Sequence, residues 1–549
     1  MSILFKPNGE FRCVILYVPA VILFGFLANL YTPMVDVIWD MVFFKQMAFA
    51  LHDISTFNIK HSFPVQPLYP LFLSIGCFAP DYRSIEFIQS WLNPAMYFFT
   101  LFPLYRLSRL LLNPRESAWV CLLFIFYPST IFTQWSMSEN LAAPLTLWMI
   151  AEAATLLLAE RPSWKHSALL GLAISAMILT RILLIVICLA ALAWLAYRFL
   201  KRGQELRIVA LAGGVAFTLV MIIWWQMGYL SHEESWPVYA NFTSITAEKA
   251  IPLFFTIFCA QWTGLWLDGA LVPIALLLTA VVRIGVKPKD ISPAQLEMVK
   301  MFFFISLIYI SSVAGYYVKR TDFERWSVNL RYVFYINILC LPLAVSTAAW
   351  LRKRTVRPLW LPWLIFVLAA LLPSLGFFMH DLWDKITDPH AYFSNAPTLD
   401  FIYQIRAKPI QSASFFFGCT LALGTLCLTT RRLGWLCLCG VMLYVQLCTF
   451  DFYFQLQKQT LHNWWVNDIH AFCRELEDGH WNELPIYCEE EYESQYLVPN
   501  LWYWLNQKST ALSPAAPRPP KPYLLFTPHP HDDGTLDFKS GDLHAYVMQ

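Results

Sequence analysis

Apolar runs of about twenty residues, each closed by charged loops, recur from residue 12 to residue 452. A helix needs roughly twenty apolar residues to cross the ~30 Å hydrocarbon core of a bilayer. Inside lipid, every backbone N–H and C=O must also be satisfied within the spanning structure. Runs of this length therefore predict spanning α-helices and exclude a soluble fold. About thirteen spans are expected, near 12–31, 86–110, 118–134, 141–159, 166–180, 182–199, 207–229, 262–282, 300–318, 331–351, 358–378, 411–429 and 434–452. Only 14% of the 549 residues are charged and 58% are hydrophobic, against about 25% charged in a soluble domain. The formal charge of +2 provides no field for a nucleic-acid partner. Lys6 and Arg12 precede the first run but no small-residue cleavage site follows it, so it reads as a retained helix.

Loop charge predicts orientation. With the N-terminus cytoplasmic, the inner loops carry Arg106/Arg109/Arg115, Arg161/Lys165, Arg198/Lys201/Arg202/Arg207, Arg283/Lys287/Lys289, Arg352/Lys353/Arg354/Arg357 and Arg431/Arg432. Each is a basic cluster, as inner loops require. An odd number of spans puts the tail outside. The run 166–200 is broken only by Thr180-Arg181. One helix of that length would bury Arg181 at mid-membrane at high cost, so two short helices meeting at Arg181 are expected.

The membrane region is assigned to 1–452 and the tail to 453–549, with long outer loops at 33–85, 230–261 and 379–410. The first loop carries interfacial helices, one amphipathic around Trp39 to Leu51. The tail turns polar, contains PAAPRPPKP, and has strand-like pieces at Leu484–Tyr487 and Tyr523–Thr527. These fit a small α/β domain. Cys473 and Cys488 could pair there in an oxidising compartment.

Asp36 and Asp40 lie four apart just after the first span, on one face of a helix. At the outer rim a carboxylate is hydrated yet within reach of a lipid-borne substrate. Glu139, in WSMSENLAAPL, is either a capping-box residue with Ser136 or a ligand to substrate. Arg181 is either a snorkelling interfacial side chain or a phosphate clamp, since guanidinium meets phosphate bidentately. Lys60 and His61 are either a solvated loop pair or donor-phosphate contacts. Lys319, Arg320, Arg325 and Arg331 put positive charge on an outer loop, where anionic headgroups are one explanation. The HPHDD of 529–533 has no second ligand cluster, so it is not read as a metal site.

These residues resemble the GT-C superfamily of integral-membrane glycosyltransferases. The layout is closest to the protein O-mannosyltransferase and lipid A aminoarabinose transferase branch. An Asp in the first outer loop is followed there by an aromatic at four and a small residue at eight; here these are Asp40, Phe44 and Ala48. Met41 stands where that branch usually has Glu, so Asp36 is kept as an alternative. Gln66-Pro67-Leu68-Tyr69-Pro70 matches its PPLYP-like segment. The resemblance implies a catalytic base at Asp40 or Asp36. It implies donor-phosphate contacts at Arg181, Arg331, Tyr332 and Lys60, and substrate contacts at Glu139, His61 and Tyr69. Its members take sugars from polyprenyl-phosphate donors to glycan, lipid or protein acceptors. Some use a divalent metal such as Mg or Mn, so metal dependence stays open.

The expectation is thus an all-α polytopic membrane protein of GT-C type with a small extracytoplasmic α/β domain. Its activity would be inverting transfer of a sugar from a lipid phosphate to a hydroxyl, in a bacterial inner membrane or, alternatively, an endoplasmic-reticulum membrane. Two other functions compete, a flippase or transporter of a lipid-linked solute and a non-catalytic subunit of a glycosylation complex. Transporters place ionisable groups at mid-membrane in repeated halves, whereas these charges lie at the outer rim.

Overall fold

The computed structural model describes residues 10–31, 44–45, 47–48, 51–52, 66–79, 82–227, 247–268, 273, 276, 292–320, 330–353, 367, 409–430, 433–463, 484–489, 509–512, 520–527, 535–540 and 543–548. The helices among them are α1 (Glu10–Tyr31), α2 (Leu68–Leu73), α3 (Tyr82–Phe98), α4 (Leu101–Arg109), α5 (Pro114–Ile125), α6 (Glu139–Leu158) and α7 (Trp164–Thr180). They continue as α8 (Ile185–Arg202), α9 (Arg207–Gln226), α10 (Ala247–Asp268), α11 (Pro293–Arg320), α12 (Leu330–Lys353), α13 (Pro409–Thr429) and α14 (Leu433–Asn463). Among the described residues, five helical stretches are long and apolar enough to cross a membrane, and a sixth forms if the bent pair Pro114–Ile125 and Pro128–Gln134 is one span. The expected span at 358–378 falls almost wholly outside the described residues, so the count of thirteen rests on the sequence alone.

Helix α9 illustrates the environment. Its buried stripe is Ile208, Ala212, Ala216, Val220 and Trp224, one residue every helical turn. The opposite face exposes Phe217, Ile222 and Trp225, the first and last by more than two thirds. A helix apolar on both faces is covered by protein on one side and lipid on the other. The packed side meets a small-residue row on α7, Ser167, Gly171 and Ser175. Rows of small residues let membrane helices approach closely. A methyl group at Gly171 would lie 2.7 Å from the Ala212 carbonyl oxygen. Ser167 Oγ donates to the Ile208 carbonyl and seals the same contact.

Charged side chains gather at one end of the bundle. Buried Glu152 on α6 accepts from Arg106 on α4 and lies 2.7 Å from His166 Nδ1 on α7. Arg198 on α8 faces Glu297 on α11 at 2.7 Å. Arg202 and Gln204 donate to the carbonyls of Leu157 and Glu160 at the close of α6. The end of α8 therefore lies beside the end of α6, and the chain turns between α7 and α8 at Arg181. Gly203, at φ 65°, closes α8 in the left-handed conformation that glycine adopts without steric cost.

The tail contains a mixed five-stranded sheet of order β2-β1-β3-β5-β4. Its strands are β1 (Ile486–Glu489), β2 (Ser509–Leu512), β3 (Tyr523–Thr527), β4 (Thr535–Ser540) and β5 (Leu543–Met548). The strand expected at 523–527 is β3, and β1 is displaced two residues from the expected 484–487. Both are parallel neighbours, with Ile486 opposite Leu524. Tyr523, Leu525, Tyr546 and Met548 pack together on one face. The sheet is what the described residues show of the expected α/β domain, and Cys473 and the side chain of Cys488 lie outside them.

Candidate functional site

The site forms at the end of the bundle opposite the Glu152 cluster. It begins with a broken helix. Pro128 has no N–H and disfavours helical geometry in the residue before it, and Tyr127 is extended at φ −69°, ψ 132°. Helix α5 therefore stops at Ile125, and the chain continues as the 3-10 turn Pro128–Gln134, bent by 57°. Trp135 is extended, and α6 starts at Glu139. Residues 127–144 are all buried.

This turn delivers Glu139 to the rim with its side chain fully enclosed. Glu139 Oε1 accepts from Arg181 Nη1, and Ser138 Oγ donates to Glu139 Oε2 at 3.2 Å. The Ser136-to-Glu139 spacing closes no capping box, because Ser138 is the N-cap and its side chain makes no cap hydrogen bond. Nor does Arg181 snorkel, since it is only 8% exposed. It sits extended at φ −158° where α7 ends, anchored by its own N–H to the Met177 carbonyl at 2.9 Å. Two opposite charges withdrawn from water must match each other closely to persist.

Tyr69 is the third predicted residue at this end. Its hydroxyl donates to Asn93 Oδ1 at 2.7 Å, and Asn93 Nδ2 reaches Ser136 Oγ at 3.5 Å. The Phe44 ring meets the Tyr69 ring edge-on, with centroids 5.0 Å apart. Phe44, Met47 and Ala48 pack in one cluster with Tyr69, Leu73 and Leu141. The segment following Asp40 is thus packed two residues along the chain from Glu139. Trp224 Nε1 donates to Gln66 Oε1 at 3.0 Å, tying the end of α9 to the same loop.

Asp36, Asp40, Lys60 and His61 lie outside the described residues. Arg331 and Tyr332 occupy the first turn of α12, but only their backbone is described. Phe334, a turn further on, packs on Phe132 of the 3-10 turn with centroids 5.3 Å apart. The start of α12 therefore abuts the broken span. Asn93 is not among the site residues read from the sequence, and Ser136 enters that reading only as a capping-box partner of Glu139. The signal that could have found Asn93 is an amide inside an apolar run, expensive in lipid unless bonded.

No protein-family model matches the sequence. No curated protein matches it either. Solved structures do. ArnT from Cupriavidus metallidurans bound to undecaprenyl phosphate aligns at TM-score 0.53 and 13% identity, over 92% of this chain and 86% of that one. Its apo form aligns at TM-score 0.50 and 12% identity, over 91% and 86%. ArnT, a lipid A aminoarabinose transferase, is a GT-C glycosyltransferase. This chain has the GT-C fold.

In a GT-C frame the described half of the site is a buried acid–guanidinium pair beside a tyrosine relay. Among the described residues, no three His, Cys, Asp or Glu side chains converge to hold a metal. Glu139, three residues along the chain from the relay's Ser136, is paired with Arg181.

Proposed function

We propose that the protein is an inverting glycosyltransferase that moves a sugar from a polyprenyl-phosphate donor to an acceptor hydroxyl at the extracytoplasmic face. One observation carries this reading. A guanidinium is held buried by Glu139 at the bundle end remote from the basic loops, in a fold whose relative binds undecaprenyl phosphate. The basic clusters mark the cytoplasmic side, so the pair faces outward.

In this reaction Asp40, with Asp36 as its alternative, takes the proton of the acceptor hydroxyl. The acceptor oxygen bonds to the anomeric carbon from the face opposite the phosphate. The bond from that carbon to the phosphate oxygen breaks, and its electron pair leaves with the phosphate. The leaving group needs charge stabilisation rather than a proton, supplied by Arg181, Arg331 and Lys60 with Tyr332. Glu139 fixes the Arg181 fork, while Tyr69 and His61 line the sugar and acceptor side. The acceptor is a glycan, lipid or protein hydroxyl.

The test is sugar transfer from undecaprenyl-phosphate donors by membranes containing Asp40→Asn, Asp36→Asn or Arg181→Ala. Asp40→Asn should cost about 10²- to 10⁴-fold in turnover. Wild-type turnover by both aspartate variants would remove the proposed base.

A further inference from the structure

The break beneath Glu139 is held by a residue from the last described helix of the membrane region. Gln446 on α14 is the only amide in the apolar run 433–452, and it is 3% exposed. Its Nε2 shares two protons among three acceptors, the carbonyl oxygens of Ile125 at 3.1 Å and Tyr127 at 3.4 Å and Thr130 Oγ1, which itself donates to the Tyr127 carbonyl at 2.7 Å. Ile125 closes α5, so its carbonyl is one of those a helix end leaves without an intrahelical partner. In lipid no water replaces that partner, and irregular backbone survives only where protein satisfies it. An amide nitrogen has two protons, so one side chain ties both sides of the Pro128 break together.

The clamped segment leads directly to the site. It is buried from Tyr127 onward and ends on Glu139, which holds Arg181. Its Phe132 supports the first turns of α12 through Phe334. Resting on the donor-phosphate reading above, we propose that Gln446 is a positioning residue for the phosphate site. Its amide sets the bend of the third span, and the bend sets the Glu139–Arg181 pair.

The experiment uses the full chain in nanodiscs with undecaprenyl phosphate alone as the probe. The variants are Gln446→Met, which keeps volume but loses the donor, Arg181→Ala, and the two combined. Gln446→Met should weaken binding about tenfold, the scale of one or two lost hydrogen bonds. It should also speed amide exchange within 126–138. The double variant should bind no worse than Arg181→Ala alone, because the clamp acts through that guanidinium. Wild-type affinity in Gln446→Met, or penalties that multiply in the double variant, would overturn the assignment. If Arg181→Ala alone binds normally, the phosphate reading fails and this inference fails with it. If only Gln446→Met binds normally, this inference alone fails. Should Gln446→Met not fold, Thr130→Val removes one of the three acceptors. A smaller loss of the same kind is then expected, and unchanged affinity would overturn the assignment.

Discussion

Replacing Glu139 by Gln keeps the shape of the side chain and removes its charge. The side chains of Glu139 and Arg181 are 0% and 9% exposed, so the buried guanidinium would lose the charge of this carboxylate. At an effective dielectric of ~20 and a separation of ~3 Å, the lost attraction is about 5 kcal/mol. Removing one partner of a buried pair costs about 3–5 kcal/mol, whereas replacing both by neutral groups is often close to neutral. Glu139→Gln should therefore destabilise the bundle by about 3 kcal/mol or more, and Arg181→Met by a similar amount. The double variant Glu139→Gln/Arg181→Met should be less destabilised than either single one. The assay is unfolding in graded SDS followed by tryptophan fluorescence. Single variants within about 0.5 kcal/mol of wild type, the range of ordinary surface changes, would refute the burial argument. So would a double variant equal to the sum of the two.

Three further expectations are open to direct measurement. Tyr69→Phe deletes the donor to Asn93 Oδ1 and leaves that oxygen buried, so a loss of about 1–3 kcal/mol is expected in the same unfolding assay. Gly171→Ala drives a methyl onto the Ala212 carbonyl at 2.7 Å and should cost about 1–3 kcal/mol, whereas the same change at Gly213, with open space around it, should not destabilise. Cys77 packs with Tyr69 and Leu141, and burial pushes its thiol up to about 12. At pH 8 only about one thiol in ten thousand is then thiolate. Maleimide labelling of a variant retaining Cys77 as its sole cysteine should therefore be negligible until denaturant opens the cluster.

Much of this protein was legible from periodicity and charge. Run length implies spanning helices because the bilayer has a fixed thickness. Arg181 was recognisable as a helix break because charge at mid-membrane is so costly. The strand at 523–527 stood out as an aromatic and branched run beside a proline-rich linker. Which partner each polar residue finds was not legible. Ser136 stands three residues before Glu139, a spacing that suggests a capping box, yet the carboxylate turns to a guanidinium 42 residues away. Gln446 reaches carbonyls more than 300 residues earlier in the chain. Sequence by itself determined where polar groups would be expensive, because that cost depends on local hydrophobicity. Only the tertiary structure decided how each was satisfied, because hydrogen bonds and ion pairs act over about 3 Å between helices whose adjacency no local pattern encodes.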